Sequence, residues 1–388
     1  MFVEMEKRKN SMFKYMIICG IMLFATVASG HSQEEHIQKV ERALSSVPLF
    51  DGHNDLPWLI TNDLDAPGDV SRYDLRSTTI GHTDIRRLRA GMVGAQFWSV
   101  YIPMEAVQEG AARVQLEQID IARRIIRRYP DVFEQAYSTS DVRRIFGSGR
   151  VASVLGMEGG HAIENSLGAL RSYFDLGVRY MTLTHNGNND WADACCEDSR
   201  HGGLTDFGIE VVREMNRLGM LVDLSHTSLE TMNQVLDVVT APVIFSHSSA
   251  REVTEHPRNV SDEILRRLPE NGGVVMVTFV PGFISMESRA TLTDVVAHIE
   301  HVVDVAGINH VGIGSDFDGI DSTPLGLEDV STFPSLFVEL SKRGWTEQEL
   351  MKLAGQNVLR AWSEAEVRAS QIQRDEEPSI ATLEKPEN

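Results

Sequence analysis

The strongest constraint on the fold of this chain is a repeated alternation. Short apolar, β-branched runs are followed by amphipathic stretches with helical spacing. The runs are Val47–Asp51, Gly94–Val100, Ala152–Met157, Arg179–Thr184, Met220–Leu224, Pro242–Ser246, Gly273–Phe279 and Val311–Gly314. Most are apolar throughout, as strands covered on both faces must be. Helical stretches at Asp84–Arg89, Ala106–Arg128, Leu167–Leu176, Asp206–Leu218, Leu229–Val238, Asp262–Leu268 and Thr291–Val305 fill most of the gaps. Within Asp206–Leu218 the apolar Ile209, Val212, Met215 and Leu218 recur at helical spacing, which marks a core-facing stripe. Gly177, Gly219 and Gly307 read as helix stops. Eight strands alternating with helices over about 270 residues suit an α/β fold of the (β/α)8 TIM-like barrel type. Ser331–Leu340 and Thr346–Trp362 add C-terminal helices. A doubly wound open sheet would need a Gly-rich phosphate turn after its first strand, and Asp51-Gly-His-Asn-Asp55 stands there instead.

Composition narrows the partners. The chain has 388 residues, 42% of them apolar and 24% charged, which excludes a disordered or fibrous protein. Its 56 acidic and 36 basic residues leave a formal net charge of −20, a poor match for nucleic acid. Lys7, Arg8, Lys9 and Lys14 precede an apolar run, Tyr15 to Val27, and the small residues Ala28-Ser29-Gly30. Residues 1–30 therefore read as a secretory signal peptide, with a secreted, extracellular product. Residues 31–362 read as the barrel domain and 363–388 as a polar, flexible tail. A C-terminal lipid-anchor signal would need a hydrophobic tail, so membrane attachment by that route is not expected. Of three cysteines, Cys19 falls in the signal, and Cys195 and Cys196 are neighbours. A disulfide framework is not expected.

The chemistry lies at the strand ends. His53, His185, His226 and His247 fall at or just past the ends of the first, fourth, fifth and sixth runs. Glu158 takes that place after the third run and Asp316 after the eighth, and Asp55 lies two residues beyond His53. In a barrel these ends converge on one face, where active sites are built. The plainer alternative for the set is a polar cluster that solvates the barrel mouth. Nitrogen and carboxylate donors without thiolate suit Zn²⁺ or a similar first-row ion. His53, Asp55, Glu158, His226 and His247 are too many for one catalytic zinc, which keeps about three protein ligands and an open position. Two metals sharing the Glu158 carboxylate fit the count better, holding a bridging hydroxide and polarising a carbonyl.

These residues sit in segments that, taken together, are specific. They are Asp51-Gly-His-Asn-Asp-Leu-Pro57, His82-Thr-Asp-Ile85, Gly94-Ala-Gln-Phe-Trp-Ser99 and Met157-Glu-Gly-Gly-His161. Tyr180-Met-Thr-Leu-Thr-His185, Trp191-Ala-Asp193, Val222-Asp-Leu-Ser-His226, Ile244-Phe-Ser-His-Ser-Ser-Ala250, Arg258-Asn-Val260 and Gly314-Ser-Asp-Phe-Asp-Gly319 follow in order. Over roughly residues 45–362 the chain resembles the membrane (renal-type) dipeptidases, zinc peptidases with an amidohydrolase-like barrel. The resemblance implies hydrolysis of dipeptides at a binuclear zinc centre with a bridging hydroxide, two Zn²⁺ per subunit and a candidate homodimer. By it, His53, Asp55 and Glu158 hold one zinc, and Glu158, His226 and His247 the other. His185 would contact the scissile carbonyl and the developing oxyanion. Arg258 would take the dipeptide carboxylate. Asp316 would meet the amino end and help move a proton. Only Arg258 depends on the resemblance for its selection.

The chain also departs from the family. Gly187, Thr254 and Met286 stand near positions where relatives often carry cysteines, and Phe283 stands where some place a tyrosine. The one glycosylation sequon, Asn259-Val-Ser261, adjoins Arg258 and is expected to be unused. Two other functions remain open from the residues: an amidohydrolase acting on N-acyl amino acids or cyclic amides, and a catalytically inert surface-binding relative. Protein recovered from culture medium should begin near His31. Terminal sequencing that instead finds Met1 in a membrane fraction would show an uncleaved anchor.

Overall fold

The computed structural model describes residues 33–383. The segment 1–30 expected to be a signal peptide and the end of the expected tail, 384–388, lie outside the described residues. All eight expected strands form: β1 (Leu49–Asn54), β2 (Val93–Tyr101), β4 (Val151–Glu158), β5 (Val178–Thr182), β6 (Leu221–Asp223), β7 (Ile244–Ser248), β8 (Val274–Val277) and β9 (Val311–Ile313). A ninth, β3 (Phe133–Gln135), was not foreseen, because three residues with polar Glu134 and Gln135 carry no strand pattern. The sheet runs β2-β1-β9-β8-β7-β6-β5-β4, and β2 pairs again with β4 from Ala95↔Ala152 to Tyr101↔Glu158. That second pairing closes an eight-stranded parallel barrel. β3 stays outside the ring, paired with the first half of β4. No helix of the described residues is long and apolar enough to cross a membrane.

Helix boundaries follow local chemistry. Ser138, Ser166, Thr205 and Ser228 each accept a backbone N–H from the first turn of the helix they precede. Gly177, Gly219 and Gly307 adopt φ of 112°, 80° and 94°, the region that glycine enters without a Cβ penalty. Some expected helices are broken. Ala106–Arg128 splits at Gly110 (φ 89°) into a 3-10 turn and a helix from Ala111. The expected helix Asp262–Leu268 is only the single turn Asp262–Leu265; a separate turn, Leu268–Asn271, follows with Pro269 in its first positions, where a missing N–H is tolerated. Residues 33–46 and Thr139–Gly147 are helices that the sequence pattern left unassigned.

The last helix runs from Asn357 to Asp375, well past Trp362, so the stretch from 363 expected to be a tail is helical at first. Ala365 and Ala369 are buried on it. Val358, Leu359 and Trp362 join the inner side chains Phe97, Tyr180, Leu221 and Val274 in one cluster. Gly219, which precedes β6, packs against Ala369, and Gly272, which precedes β8, against Glu364 and Arg360. The helix therefore closes the N-terminal end of the barrel and leaves the C-terminal end open.

Two glycines decide how tightly the barrel draws in. A Cβ on Gly314 would lie 1.8 Å from the Ser246 carbonyl oxygen, and one on Gly52 would lie 2.4 Å from the same atom. Their bare backbones let β7 approach β1 and the end of β9 across the interior. The consequence is functional: the His53 and His247 rings stand 3.9 Å apart, centroid to centroid. Gly314→Ala should overpack this contact, costing about 1–3 kcal/mol or more. A fall of several degrees in Tm, with weakened metal retention, is the expected result of a thermal melt with metal analysis.

Candidate metal centre and active site

β1 alternates its faces, so Asp51 and His53 point the same way. Asp51 accepts from Ser315 through both its backbone N–H (2.7 Å) and its hydroxyl (2.7 Å), and from Gln96 Nε2 at 3.0 Å. Burial pushes Asp51 up to about 6 despite those bonds. It ties β1 to the residues after β9. His53 then projects Nε2 into the mouth. Asp55 follows at the N-cap of helix Leu56–Thr61, yet its side chain makes no capping bond. Its Oδ2 lies 3.2 Å from His53 Nε2, and its buried Oδ1 has no hydrogen-bond partner. An N-cap carboxylate that leaves the helix uncapped is committed to something else.

Glu158 ends β4 at the centre of the group. Its Oε2 lies 3.5 Å from His53 Nε2, while Oε1 lies 3.1 Å from His226 Nε2 and 3.2 Å from His247 Nε2. The two latter nitrogens are only 3.0 Å apart. His226 and Asp316 follow β6 and β9 with φ of 68° and 67°, sparsely populated for residues with a Cβ. Such strain persists where surrounding structure holds it, often at functional sites. Asp316 Oδ1 stands 4.0 Å from His53 Nε2. The His185 ring lies tilted at 4.4 Å from the His226 ring and 4.7 Å from that of Tyr101, centroid to centroid. Every residue singled out in the sequence thus reaches one mouth, and the cavity there is about 360 Å³.

Electrostatics follow from burial and the crowd of donors. Burial alone would raise Glu158, but the His53 charge and the closeness of the His226, His247 and His53 rings carry it well below the carboxylate range. Burial drives His226 well down, with Arg258 and His185 adding to it. Burial also drives His247 well down, with His53 and Arg258 adding. Both imidazoles are therefore neutral, the form that ligates metal. Burial, with Asp55 and Glu158, pushes Asp316 well above its usual range against the pull of His53.

The donors fit a metal. Three imidazole nitrogens and both oxygens of one carboxylate converge, and the unpartnered Asp55 oxygen is what a missing cation would satisfy. A second trio, Glu252, Asp262 and His301, lies elsewhere. There Asp262 already bonds His301 and Arg266, and Glu252 accepts the Asp262 backbone N–H.

Comparison with known proteins decides the family. Residues 37–376 match the model of the membrane dipeptidase family, peptidase family M19. The chain belongs to that family. It is a metallo-dipeptidase with a metal-binding cluster at the mouth of its barrel. Dipeptidase verJ of Clonostachys rogersoniana is 46% identical over 344 residues, covering 86% of this chain and 88% of that protein. Among solved structures, the probable dipeptidase PvdM of Pseudomonas aeruginosa superposes with a TM-score of 0.78 at 25% identity, covering 86% and 99% of the two chains. A metallo peptidase of Rhodobacter sphaeroides, bound to a phosphinate mimic of L-Ala-D-Ala, gives 0.75 at 27% identity, covering 82% and 99%.

Several side chains of this M19 dipeptidase's site were not assigned roles from sequence. Tyr180, Asn186 and Ser246 contact the outer nitrogens of His53, His226 and His247 at 2.8, 2.9 and 2.8 Å. A polar residue inside an apolar strand, as at Asp51 or Asp223, was the available signal. Asn259 is fully buried, and its amide donates to the Thr254 and Phe283 carbonyls at 2.8 and 2.7 Å. No room remains for a sugar. Peptide mapping of protein made in a glycosylating host should find Asn259 unmodified; a glycan there would contradict the packing around Arg258.

Proposed function

We propose that the protein is a binuclear zinc dipeptidase that recognises both ends of its substrate. The observation that carries this reading is the division of Glu158, one oxygen toward His53 and the other toward His226 and His247. His53, Asp55 and Glu158 would hold one Zn²⁺, and Glu158, His226 and His247 the second. When bound, the pair would supply a bridging hydroxide as nucleophile and polarise the scissile carbonyl.

The chain's own residues position the rest. Arg258 is buried, with Nη2 donating to the His247 carbonyl at 3.2 Å and Nη1 near Ser248 Oγ at 3.4 Å. Its Nε has no partner, and its guanidinium lies 5.3 Å from the Phe283 ring centroid. An arginine fork with spare donors suits a substrate carboxylate. Asp316, which lines the same cavity, would take the substrate ammonium and help move a proton during turnover. His185 would donate to the oxyanion as it develops. Trp58, Tyr101, Val280, Phe283 and Ile320 supply the apolar walls that thin out water.

A clamp at both ends admits one chain length. Losing one charge-assisted contact costs about 1.5–3 kcal/mol, roughly ten- to hundredfold in kcat/KM. A dipeptide should therefore outrun its C-terminal amide and the matching tripeptide by about that factor each. Arg258→Lys should narrow the gap between dipeptide and amide, and a chelator should abolish all turnover. Equal rates on the three substrates would refute the clamp. Full activity in Glu158→Gln would refute the shared-ligand centre.

A further inference from the structure

His247 sends Nε2 toward Glu158, and its other nitrogen lies 2.8 Å from the Ser246 hydroxyl. That hydroxyl lies 2.6 Å from Asp223 Oδ2. Asp223 is enclosed by donors. The Ser225 and Ser246 backbone N–H groups reach Oδ1 at 3.1 and 2.8 Å, and the Thr182 hydroxyl reaches Oδ2 at 2.5 Å. A carboxylate in that cage only accepts. Ser246 therefore gives its single proton to Asp223 and turns a lone pair to His247. The proton between Ser246 and His247 must then sit on Nδ1. Nε2 is left with a bare lone pair aimed at the metal cluster.

His53 is supported differently. Its Nδ1 meets the Tyr180 hydroxyl at 2.8 Å. Tyr180 reaches it by crossing over Gly156, where a Cβ would lie 2.1 Å from the tyrosine ring. A phenol can accept or donate, so this partner orients the ring without dictating its tautomer.

We infer that Asp223 and Ser246 form a positioning relay that locks His247 in its metal-binding tautomer, and that Tyr180 orients His53 independently, so that each ion has its own support. The inference rests on the binuclear reading. All three side chains are fully buried and touch neither the cavity nor a substrate, so their effect passes through the imidazoles. Outer partners of metal-bound histidine typically contribute about 10–100-fold in metal affinity. The relay also has a directional consequence. Asparagine at 223 would present an amide N–H to Ser246, which would then donate to His247 Nδ1 and place the proton on Nε2, where the ion should bind.

The test titrates the metal-free protein with Co²⁺ alone, read by its visible absorption and by competition with a chelator. Wild type should take two equivalents. Ser246→Ala should weaken one equivalent by about 10–100-fold and leave the other unchanged. Asp223→Asn should weaken the same equivalent further, although it removes less volume. Tyr180→Phe should weaken the other equivalent, and Ser246→Ala with Tyr180→Phe should weaken both. Thermal melts identify any variant that fails to fold, and Ser246→Ala and Tyr180→Phe remove only a single oxygen each. Wild-type affinity for both ions in Ser246→Ala and Asp223→Asn would overturn the relay. So would equal loss of both ions in either variant, or a double variant that keeps one equivalent at full strength. A wild type that holds a single ion would instead overturn the binuclear reading itself.

Discussion

The Glu158 carboxylate is the contact on which the rest of the site depends. Its two oxygens face opposite groups of donors, so the group forms only if β4 delivers that residue to the middle of the mouth. Leaving such an anion buried without partners would be expensive. The histidines surround it, and they in turn need something on their outer nitrogens. The barrel supplies a hydroxyl, an amide oxygen and a phenol from β5, β7 and the loop after β5. The metal cluster and the barrel interior therefore form one hydrogen-bonded unit, not a set of ligands placed on a finished scaffold.

That unit reaches down into the barrel. Asp51 fastens β1 to the segment after β9, and Asp223 fastens β5, β6 and β7 together through Thr182, Ser225 and Ser246. Both acids are fully buried, and both have every approach filled by donors. They sit one layer below the residues at the mouth. Glycine makes this layer possible. At 52 and 314 it admits close backbone approach, and at 156 it lets Tyr180 cross to the far wall. Small residues and buried acids thus set the position of the imidazoles with a precision that apolar packing alone would not impose, because hydrogen bonds are directional and dispersion contacts are not.

A cavity of about 360 Å³ is lined by both Arg258 and Asp316, the two groups that the proposed function assigns to the ends of a short zwitterion. The apolar rings of Trp58 and Tyr101, 4.9 Å apart and edge to face, stand beside it and reduce the water that competes for the charged contacts. Low local dielectric strengthens each of those contacts. Family membership and the proposed contacts of Arg258 and Asp316 point to the same class of substrate.

Much of this was legible in the sequence. Eight apolar runs separated by amphipathic stretches determined a parallel barrel, since strands buried on both faces need helices outside them. The placement of His53, Glu158, His226, His247 and Asp316 at run ends then located the site, because parallel strands bring those ends to one face. Other features were invisible along the chain. β3 pairs through only three residues, and the last helix continues past Trp362 because Ala365 and Ala369 pack beneath the barrel, a contact no local pattern encodes. Tyr180, Ser246 and Asp223 looked like strand residues until folding joined them to imidazoles from β1 and β7. Side-chain chemistry at strand ends is a local property, so the sequence determined which groups would meet. Which nitrogen of each imidazole faces the cluster depends on partners distant in the chain, and only the tertiary structure decided it.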